Sequence, residues 1–487
     1  MPLILLALLA PALLAGQGLG TQVEELIQTL YGPRAGMWGV HIVNLDRNAT
    51  LAGIASDRLF VPASTAKLFT AALAFTRLGP EYRFLTRIVA AAPPAGDGRL
   101  KGDLILVGGG DPSLDGRPQA ARDGQETSQL AAIEELAGQV IQRGVRRIEG
   151  DIVGDDSAYP WEPYPEGRSQ EDALWHYGAP VSALSISENR VVLTLSPGRV
   201  EGEPARLRLN PPLEFFVIDN RVRTVVAGET RIEIDRLPGS RQLKLWGTIS
   251  RRSGATSRLL ALDDPAEYAA AALYDALTRR GVQVNGRPRA RHAYLNEYPR
   301  MEPPATVELA RHESPPLGEI LSFTLRESPN LHAELLLREV GRVRRQSGSR
   351  QAGLDELKDL LREAGISAEE CQLVDGSGLS RSSLLTPRAL TQLLGYLYRL
   401  PESSLWLSLL PAAGADGTLK GRLNEAGARV RAKTGSMNRI NALAGYAVNS
   451  AGETLAFAVM ANNFSAPAAE IRSIIDKIVL LTLEGDK

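Results

Sequence analysis

The chain has 487 residues, of which 44% are hydrophobic and 23% are charged, and its formal net charge at pH 7 is −1. This length is enough for two or three domains, and the composition is that of a globular protein rather than a disordered chain or a coiled coil. The balanced charge gives no support to binding of nucleic acid or of an anionic membrane surface.

The N-terminus carries a short apolar segment. Residues 3–15, LILLALLAPALLA, have the length of a signal-peptide core and are too few to span a bilayer as a standard helix. We interpret residues 1–18 as an export signal, so that the mature protein is periplasmic or extracellular. A misassigned start codon and an uncleaved anchor are the alternatives, because no basic segment precedes the run and no A-x-A cleavage site follows it. The single cysteine, Cys371, excludes an intrachain disulfide.

Both ends of the chain predict strands and helices of the same kind. In chain order these are a helix at 21–30, strands at 37–45 and 49–55, a helix from Ser64, strands at 429–435, 441–449 and 454–462, and a closing helix at 466–484. We therefore expect the two ends to join in one α/β domain, in which helices flank an antiparallel sheet.

The middle of the chain predicts a β-rich insert. Short apolar runs separated by Gly, Pro and Asp predict strands, and only the segments 127–143 and 264–281 favour helices. We expect residues 81–295 to form this insert, with two subdomains. The catalytic domain would then comprise residues 21–80 and 296–487.

Metal and phosphate sites find no support in the motifs. The five histidines are scattered, and neither H-E-x-x-H nor a cysteine pair occurs. The segment GGGDPS at 108–113 lacks the lysine of a phosphate loop and favours a turn. We expect no metal.

The segment PASTAKLFTAALAF at 62–75 places a hydroxyl and an amine three positions apart. On a helix, Ser64 and Lys67 would share a face, so that the amine reaches the hydroxyl. Alone, S-x-x-K is a weak signal, and a capped helix start with an exposed lysine is as good an interpretation. Two further motifs follow in the chain: Ser328-Pro329-Asn330 between two helical patterns, and Lys433-Thr434-Gly435 at the end of an edge-type strand.

S-x-x-K, S-x-N and K-T-G in this order form the motif set of active-site-serine penicillin-recognising enzymes. The chain resembles the class C, low-molecular-mass penicillin-binding proteins of the D-alanyl-D-alanine carboxypeptidase/endopeptidase type. The resemblance extends to KGDLILVGGGDPSL, EGDIVGDDS, VSALSISENRV, VDGSGLSR and AGADGTLKGRL. It implies a transpeptidase/β-lactamase-like domain with a large insert. It also implies an acyl-enzyme reaction on peptidoglycan stem peptides, inhibition by β-lactam antibiotics, and no cofactor.

The resemblance also implies roles for the motif residues. Ser64 is the expected nucleophile, Lys67 its base, and Ser328 the relay of a proton to the leaving amine. The expected substrate-binding residues are Asn330 for the amide, Lys433 and Thr434 for the terminal carboxylate, Gly435 beside them, and the N–H groups of Ser64 and Ser436 as an oxyanion hole. A lysine with the ordinary pKa of about 10.4 is protonated at pH 7. Burial and the positive charge of Lys433 are expected to favour the neutral amine.

Three further residues match family positions near the peptide side chain: Asp156 (or Asp155), Arg381 and Met437. A turn aspartate, a surface arginine and a packed methionine are the structural alternatives. The 375–378 turn is expected to shape the cleft wall. One departure is Pro329, since the family has Asp at the centre of the second motif.

Two rival functions share these motifs. A β-lactamase or esterase would need a group that activates a deacylating water, and no motif places a glutamate for that role. A non-turnover β-lactam or muropeptide sensor would be expected to carry a transmembrane signalling segment, and none is visible after the N-terminal run. We therefore predict a serine D,D-peptidase, either carboxypeptidase or endopeptidase.

Overall fold

The structure of the protein, a computed structural model, describes residues 18–30, 32–114, 129–295 and 306–484. Most of the predicted signal peptide, residues 1–17, lies outside the described residues. The helices are α1 Leu19–Gln28, α2 Lys67–Leu78, α3 Ala131–Gln142, α4 Pro265–Arg279, α5 Leu317–Glu327, α6 Asn330–Arg345, α7 Arg350–Glu363, α8 Pro387–Tyr398, α9 Ser403–Leu409 and α10 Ala468–Leu481.

The strands follow the predicted pattern at both ends of the chain and add several in the middle. They are β1 Met37–Asn44, β2 Ala49–Ile54, β3 Leu85–Ala90, β4 Arg99–Leu100, β5 Leu104–Val107, β6 Arg147–Ile148, β7 Ile152–Pro160, β8 Arg190–Ser196, β9 Arg206–Asn210, β10 Val217–Val225, β11 Arg231–Asp235, β12 Gln242–Ser250, β13 Thr256–Ala261, β14 Gln283–Val284, β15 Pro288–Ala293, β16 Val307–Glu313, β17 Cys371–Gln372, β18 Leu384–Leu385, β19 Val430–Met437, β20 Ile440–Val448 and β21 Thr454–Asn462.

The chain packs into two compact units. Of the residues that the structure describes, those within 1–76, 321–333 and 354–487 form the first unit, and those within 77–320 and 334–353 form the second. The predicted boundaries of the catalytic domain (21–80 and 296–487) and of the insert (81–295) stay a prediction, because compact packing does not show which unit carries out the reaction.

The first unit is built on a five-stranded sheet in the order β19-β20-β21-β1-β2, and every neighbouring pair is antiparallel. Strands from the two ends of the chain therefore meet between β21 and β1, as the sequence predicts. The side chains of β1 alternate between faces: Val40 and Ile42 join the core that includes α10, whereas His41 hydrogen-bonds to Thr391 of α8. Because helices cover both faces, β20 and β21 are almost continuously buried, which explains their unbroken apolar runs.

Strand β19 lies at one edge of this sheet, and it carries the third motif. Its outer side approaches the turn that holds Ser64. A Cβ atom added to Gly435 would lie 2.6 Å from the carbonyl oxygen of Pro62, so only glycine permits this approach.

The second unit is rich in strands, as predicted for the middle of the chain. Its sheets have the orders β10-β12-β11, β13-β8-β9, β14-β6-β4 and β15-β7-β5-β3-β16. Helices α3 and α4 contribute apolar side chains, among them Leu136 and Leu273, to one large core with these strands. Helix α4 begins as the sequence predicts, with Asp264 capping the N–H of Glu267 and Pro265 in the first turn.

Candidate active site

The predicted nucleophile lies in a tight turn that precedes helix α2. Residues Ala63–Ala66 form one turn of 3-10 helix, and α2 begins at Lys67. The sequence pattern predicts a helix from Ser64 itself; in the structure Ser64 lies in the 3-10 turn, which continues directly into α2. Ala63, the first residue of this turn, has a φ of +47°, in the left-handed region that residues other than glycine rarely adopt. Backbone strain of this kind concentrates at functional sites, and here it immediately precedes the half-buried Ser64.

The amine of Lys67 is held at the centre of this site. Its side chain is fully buried, and Nζ lies 2.8 Å from Ser64 Oγ. Two further oxygens accept from Nζ: Oδ1 of Asn330 at 2.7 Å and the main-chain carbonyl of Ser377 at 2.9 Å. This geometry excludes the alternative of an exposed lysine at a capped helix start.

The second motif forms a two-residue connection between α5 and α6. Ser328 has a φ of +62°, so the chain reverses abruptly before Asn330 starts α6. Pro329 fits at the centre of this turn. The Ser328 hydroxyl accepts a hydrogen bond of 2.9 Å from Lys433 Nζ, and the Asn330 amide faces Lys67. The second motif therefore contacts both lysines, one through each of its polar side chains.

Lys433 is fully buried on the edge strand β19, and its amine also donates to the carbonyl of Thr434 at 3.0 Å. Burial, and then the positive charge of Lys67, lower the pKa of Lys433 well below its ordinary value, while the negative charge of Glu327 opposes them. The expectation that the positive charge of Lys433 favours a neutral Lys67 stays a prediction. The two buried amines influence each other's protonation.

The remaining third-motif residues continue along β19. Thr434 Oγ1 donates to Thr418 Oγ1 at 2.7 Å, and Ser436 Oγ donates to Asn441 Oδ1 at 3.1 Å. Ser436 is exposed and Met437 is half-buried.

The first unit thus contains two sets of directly hydrogen-bonded side chains: Ser64, Lys67 and Asn330 form one, and Ser328 and Lys433 form the other. Lys433 also donates to the main-chain carbonyl of Thr434. Arg381 is an exposed residue of the same unit, and its guanidinium donates to the carbonyl of Asn438 at 3.3 Å.

Sequence reasoning missed two groups at this site, the Ser377 carbonyl and the Thr418 hydroxyl. Both come from segments that the sequence singles out, VDGSGLSR and AGADGTLKGRL. Asp followed by Gly-Ser-Gly is typical of a turn capped by a carboxylate. Nothing in that local signal indicates that the turn faces Lys67.

Asp156 lies in the second unit, on β7, and is only 2% exposed. Its carboxylate accepts from Ser182 Oγ at 2.8 Å and from His292 Nδ1 at 2.9 Å. The other ring nitrogen of His292 lies 3.2 Å from Asp264 Oδ2, and the Trp161 ring stacks on the imidazole at 4.0 Å between centroids. Asp156 therefore has a structural role in that unit, and its predicted contact with substrate stays a prediction.

Replacing Asp156 by asparagine is expected to destabilise the protein by about 3 kcal/mol at neutral pH, because His292 then loses one of its two carboxylate partners. Burial by itself lowers the pKa of His292, but hydrogen bonds to Asp156 and Asp264 outweigh it and raise the pKa to about 10. The stabilisation from the charged imidazole is thus fully present below its ordinary pKa of 6.5 and is lost as the pH rises through about 10.

Thermal unfolding at neutral pH and again above pH 10 measures this contribution, and the difference between Asp156→Asn and wild type should narrow at the higher pH. Asp155→Asn is the matched control. Asp155 forms an ion pair of 3.2 Å with Arg291, and the Arg291 side chain is partly exposed to solvent. We therefore expect Asp155→Asn to lose less stability than Asp156→Asn. Equal losses at both pH values would show that the His292 pair does not stabilise the fold.

Comparison with known proteins identifies the family. The family model described as D-Ala-D-Ala carboxypeptidase 3 (S13) matches residues 20–484. The D-alanyl-D-alanine carboxypeptidase of Actinomadura sp. (strain R39) is 32% identical, over 96% of this chain and 86% of its own length. The chain belongs to the D-Ala-D-Ala carboxypeptidase 3 (S13) family.

A second relative and a solved structure are similar to this chain in sequence and in fold. The D-alanyl-D-alanine carboxypeptidase DacB of Haemophilus influenzae is 28% identical, over 91% of this chain and 88% of its own length. The crystal structure of penicillin binding protein 4 from H. influenzae superposes with a TM-score of 0.82 at 25% identity, covering 95% of this chain and 99% of that one. The predicted fold class and the assignment to the serine D,D-peptidases are confirmed.

The described residues were also searched for groups of metal-ligating side chains and for helices that could span a membrane. No group of three or more His, Cys, Asp or Glu side chains in residues 18–30, 32–114, 129–295 and 306–484 could hold a metal ion. Over the same ranges, no helix combines the length and the apolar character needed to cross a bilayer.

Proposed function

We propose that this S13 family enzyme cleaves the terminal D-Ala-D-Ala bond of peptidoglycan stem peptides through an acyl-enzyme on Ser64. The observation that carries the proposal is the 2.8 Å hydrogen bond between Ser64 Oγ and the buried amine of Lys67. A serine hydroxyl is a weak nucleophile until an adjacent base accepts its proton, and a fully buried amine held within hydrogen-bond distance can serve as that base.

In the proposed acylation, Ser64 Oγ attacks the carbonyl carbon of the penultimate D-Ala while its proton passes to Lys67. The N–H groups of Ser64 and Ser436 stabilise the oxyanion that forms. When the tetrahedral intermediate collapses, the C–N bond breaks and the leaving amine takes a proton through the Ser328 hydroxyl. The product is a Ser64 ester and free D-Ala, and water then hydrolyses the ester. The 2.9 Å contact of Ser328 with Lys433 supports the relay, because it supplies a second amine next to the hydroxyl.

Recognition of the substrate is assigned to the other motif residues. Asn330 binds the substrate amide next to the scissile bond. Lys433 and Thr434 bind the terminal carboxylate, and Gly435 lets β19 lie close enough to the Ser64 turn for both subsites to be used at once. Arg381 and Met437, and Asp156 from the second unit, are proposed to influence the choice among stem-peptide side chains.

Inhibition by β-lactams and export from the cytoplasm are part of the same proposal. A crystal structure of H. influenzae penicillin binding protein 4 complexed with a β-lactam matches this chain with a TM-score of 0.78 at 25% identity, covering 95% of this chain and 100% of that one. We propose that penicillin acylates Ser64 here. Export follows from the predicted N-terminal signal, since the polymer that carries the substrate lies outside the cytoplasm.

A stem peptide that ends in D-Ala-D-Ala is expected to be cleaved about tenfold or more faster as the free acid than as its C-terminal amide. The reason is that a hydrogen bond to a charged group contributes about 1.5–3 kcal/mol, and the amide cannot provide the charge for Lys433. Release of D-Ala or D-Ala-amide, followed by chiral chromatography, measures the ratio.

The matched control for that experiment is the corresponding L-Ala-L-Ala peptide acid, which keeps the carboxylate and should not be cleaved. Comparable rates on acid and amide would contradict the carboxylate-binding role. Absence of D-Ala release from either peptide, together with absence of a penicillin adduct on the Ser64 peptide in mass spectrometry, would contradict the proposed function as a whole.

A further inference from the structure

The turn at residues 375–383 is built around one buried carboxylate. Asp375 is fully buried. It accepts hydrogen bonds from the Oγ atoms of Ser377 at 2.8 Å and Ser383 at 2.6 Å, and from the N–H groups of Gly378, Leu379 and Ser380 at 3.0–3.1 Å. A carboxylate with this many donors fixes the backbone of the turn, because each charge-assisted bond would be lost if the turn changed shape. We refer to residues 375–383 as the Asp375 turn.

The Asp375 turn is also anchored from outside. Thr70 on α2 donates from Oγ1 to the Gly376 carbonyl at 2.6 Å, and Thr70 is itself only 1% exposed. Gly378 has a φ of +73°, and a Cβ atom added there would lie 1.9 Å from the Ala63 carbonyl oxygen. The turn therefore lies directly against both α2 and the 3-10 turn that holds Ser64.

This placement presents the Ser377 carbonyl to Lys67 at 2.9 Å. An ammonium group has three N–H donors, whereas a neutral amine has two and a lone pair. Among the three oxygens around Nζ, the Ser377 carbonyl and Asn330 Oδ1 can only accept, while the Ser64 hydroxyl can also donate. A neutral Lys67 therefore uses its two N–H groups on these acceptors and directs its lone pair at the Ser64 proton.

We infer that Asp375 is a positioning residue for acylation: it fixes the Ser377 carbonyl so that the neutral Lys67 amine points its lone pair at Ser64. The inference rests on the proposed function. It goes beyond the motif set, because Asp375 and Ser377 belong to none of the three motifs. It adds a positioning role to the expectation that this turn shapes the cleft wall.

Other charged groups also face this amine, and the test must separate their effects from that of the turn. Lys433 on β19 interacts electrostatically with Lys67, and Glu327 at the end of α5 interacts with Lys433. Within the turn itself, the charged side chains are Asp375, which is buried, and Arg381, which is exposed and donates to the carbonyl of Asn438. Changing Asp375 alters both geometry and charge, whereas changing Thr70 alters only the anchoring of the turn.

The experiment measures acylation by a neutral thioester as a function of pH in Asp375→Asn, Thr70→Val and Thr70→Ser. In Asp375→Asn we expect the plateau rate to fall about tenfold to a hundredfold, since a small displacement of a catalytic group has effects of this size. We also expect the rising limb of the profile to move to lower pH. A carbonyl binds an ammonium more strongly than an amine, so loss of that acceptor makes the proton on Lys67 easier to remove. Thr70→Val should show both changes to a smaller degree, and Thr70→Ser, which keeps the hydroxyl, should match wild type.

Asn44→Ala is the control for general destabilisation. Asn44 is fully buried in the same unit, and it caps the turn after β1 by accepting from the N–H groups of Asp46 and Arg47. This variant should lower the unfolding temperature and leave the limb in place. If Asp375→Asn does not fold, Thr70→Val and its serine counterpart decide the matter alone.

The inference would be overturned if the rising limb of the acylation pH profile stayed at the same pH in every folded variant. It would also be overturned if the fall in the plateau rate were fully explained by the fraction of protein that is unfolded. The two proposals fail in different ways. Wild-type protein that takes a penicillin label at Ser64, with an unmoved limb in the variants, contradicts only the role of Asp375. Wild-type protein without a Ser64 adduct contradicts the proposed function.

Discussion

Ser64→Ala is expected to lose covalent labelling by a fluorescent penicillin completely, and its D-Ala release should fall below about one thousandth of the wild-type rate. The hydroxyl is the group that becomes the ester, so no other residue can restore the adduct. The protein should remain folded, because Ser64 is half-buried in a short turn and the substitution removes one oxygen atom. Denaturing gel fluorescence and the mass of the intact protein measure the adduct.

Ser328→Ala is the matched control for the nucleophile. It removes a second hydroxyl of the site, the one that accepts from Lys433 at 2.9 Å, without removing the predicted acylation point. We expect this variant to be labelled slowly but at the same peptide as wild type. Labelling that persists in Ser64→Ala and disappears in Ser328→Ala would reverse the two assignments.

The sequence predicts the sheet that carries the site because its strands are buried on both faces. The apolar runs of β20 and β21 leave little choice of secondary structure, and the motif Lys433-Thr434-Gly435 falls on the edge strand as expected. In the second unit, strand β10 is not among the short apolar runs that predict strands, because Asp, Asn, Arg and Thr interrupt the segment IDNRVRTV. Its burial nevertheless alternates along the segment, which is the pattern of a half-buried strand.

The polar contacts of the site are less predictable than the motifs. Lys67 lies 263 positions before Asn330 and 310 before Ser377 in the chain. The family motif set accounts for the first contact, because it already pairs the two side chains. The second contact is made by a main-chain carbonyl, which every residue possesses, so no residue type identifies it. Its position depends on the fold of the Asp375 turn and on the hydroxyl of Thr70.

The protonation of the two lysines likewise depends on the folded structure. The sequence predicts that burial and the positive charge of Lys433 together favour a neutral Lys67. In the structure both side chains are fully buried, and burial together with the charge of Lys67 lowers the pKa of Lys433 well below its ordinary value. Two coupled amines of this kind lose their protons in steps that belong to the pair. When the pair carries a single proton, the two amines share it, and the negative charge of Glu327 opposes the lowering of the Lys433 pKa.

Lys433→Gln is therefore expected to move the rising limb of the acylation profile to higher pH when the probe is a neutral thioester without a carboxylate. In wild type, Lys433 competes for the shared proton, and its charge disfavours a second proton on Lys67. Without the amine of Lys433, the pKa of Lys67 rises, so Lys67 is neutral and can act as a base only at higher pH. With a D-Ala-D-Ala peptide acid the same variant should also lose at least about a hundredfold in kcat/KM, because a buried charge partner of the carboxylate is gone.

Glu327→Gln tests the same coupling from the other side. Removing this negative charge lowers the pKa of Lys433 further, so Lys433 competes less well with Lys67 for a proton. The rising limb of the acylation pH profile should therefore move to higher pH, as in Lys433→Gln, but by less. Because Glu327 is exposed, the variant should fold as wild type. If the limb stays in place in both variants while the peptide acid still loses activity in Lys433→Gln, then Lys433 only binds the carboxylate. Burial and the acceptors around Lys67 would then have to keep that amine neutral without help from a second lysine.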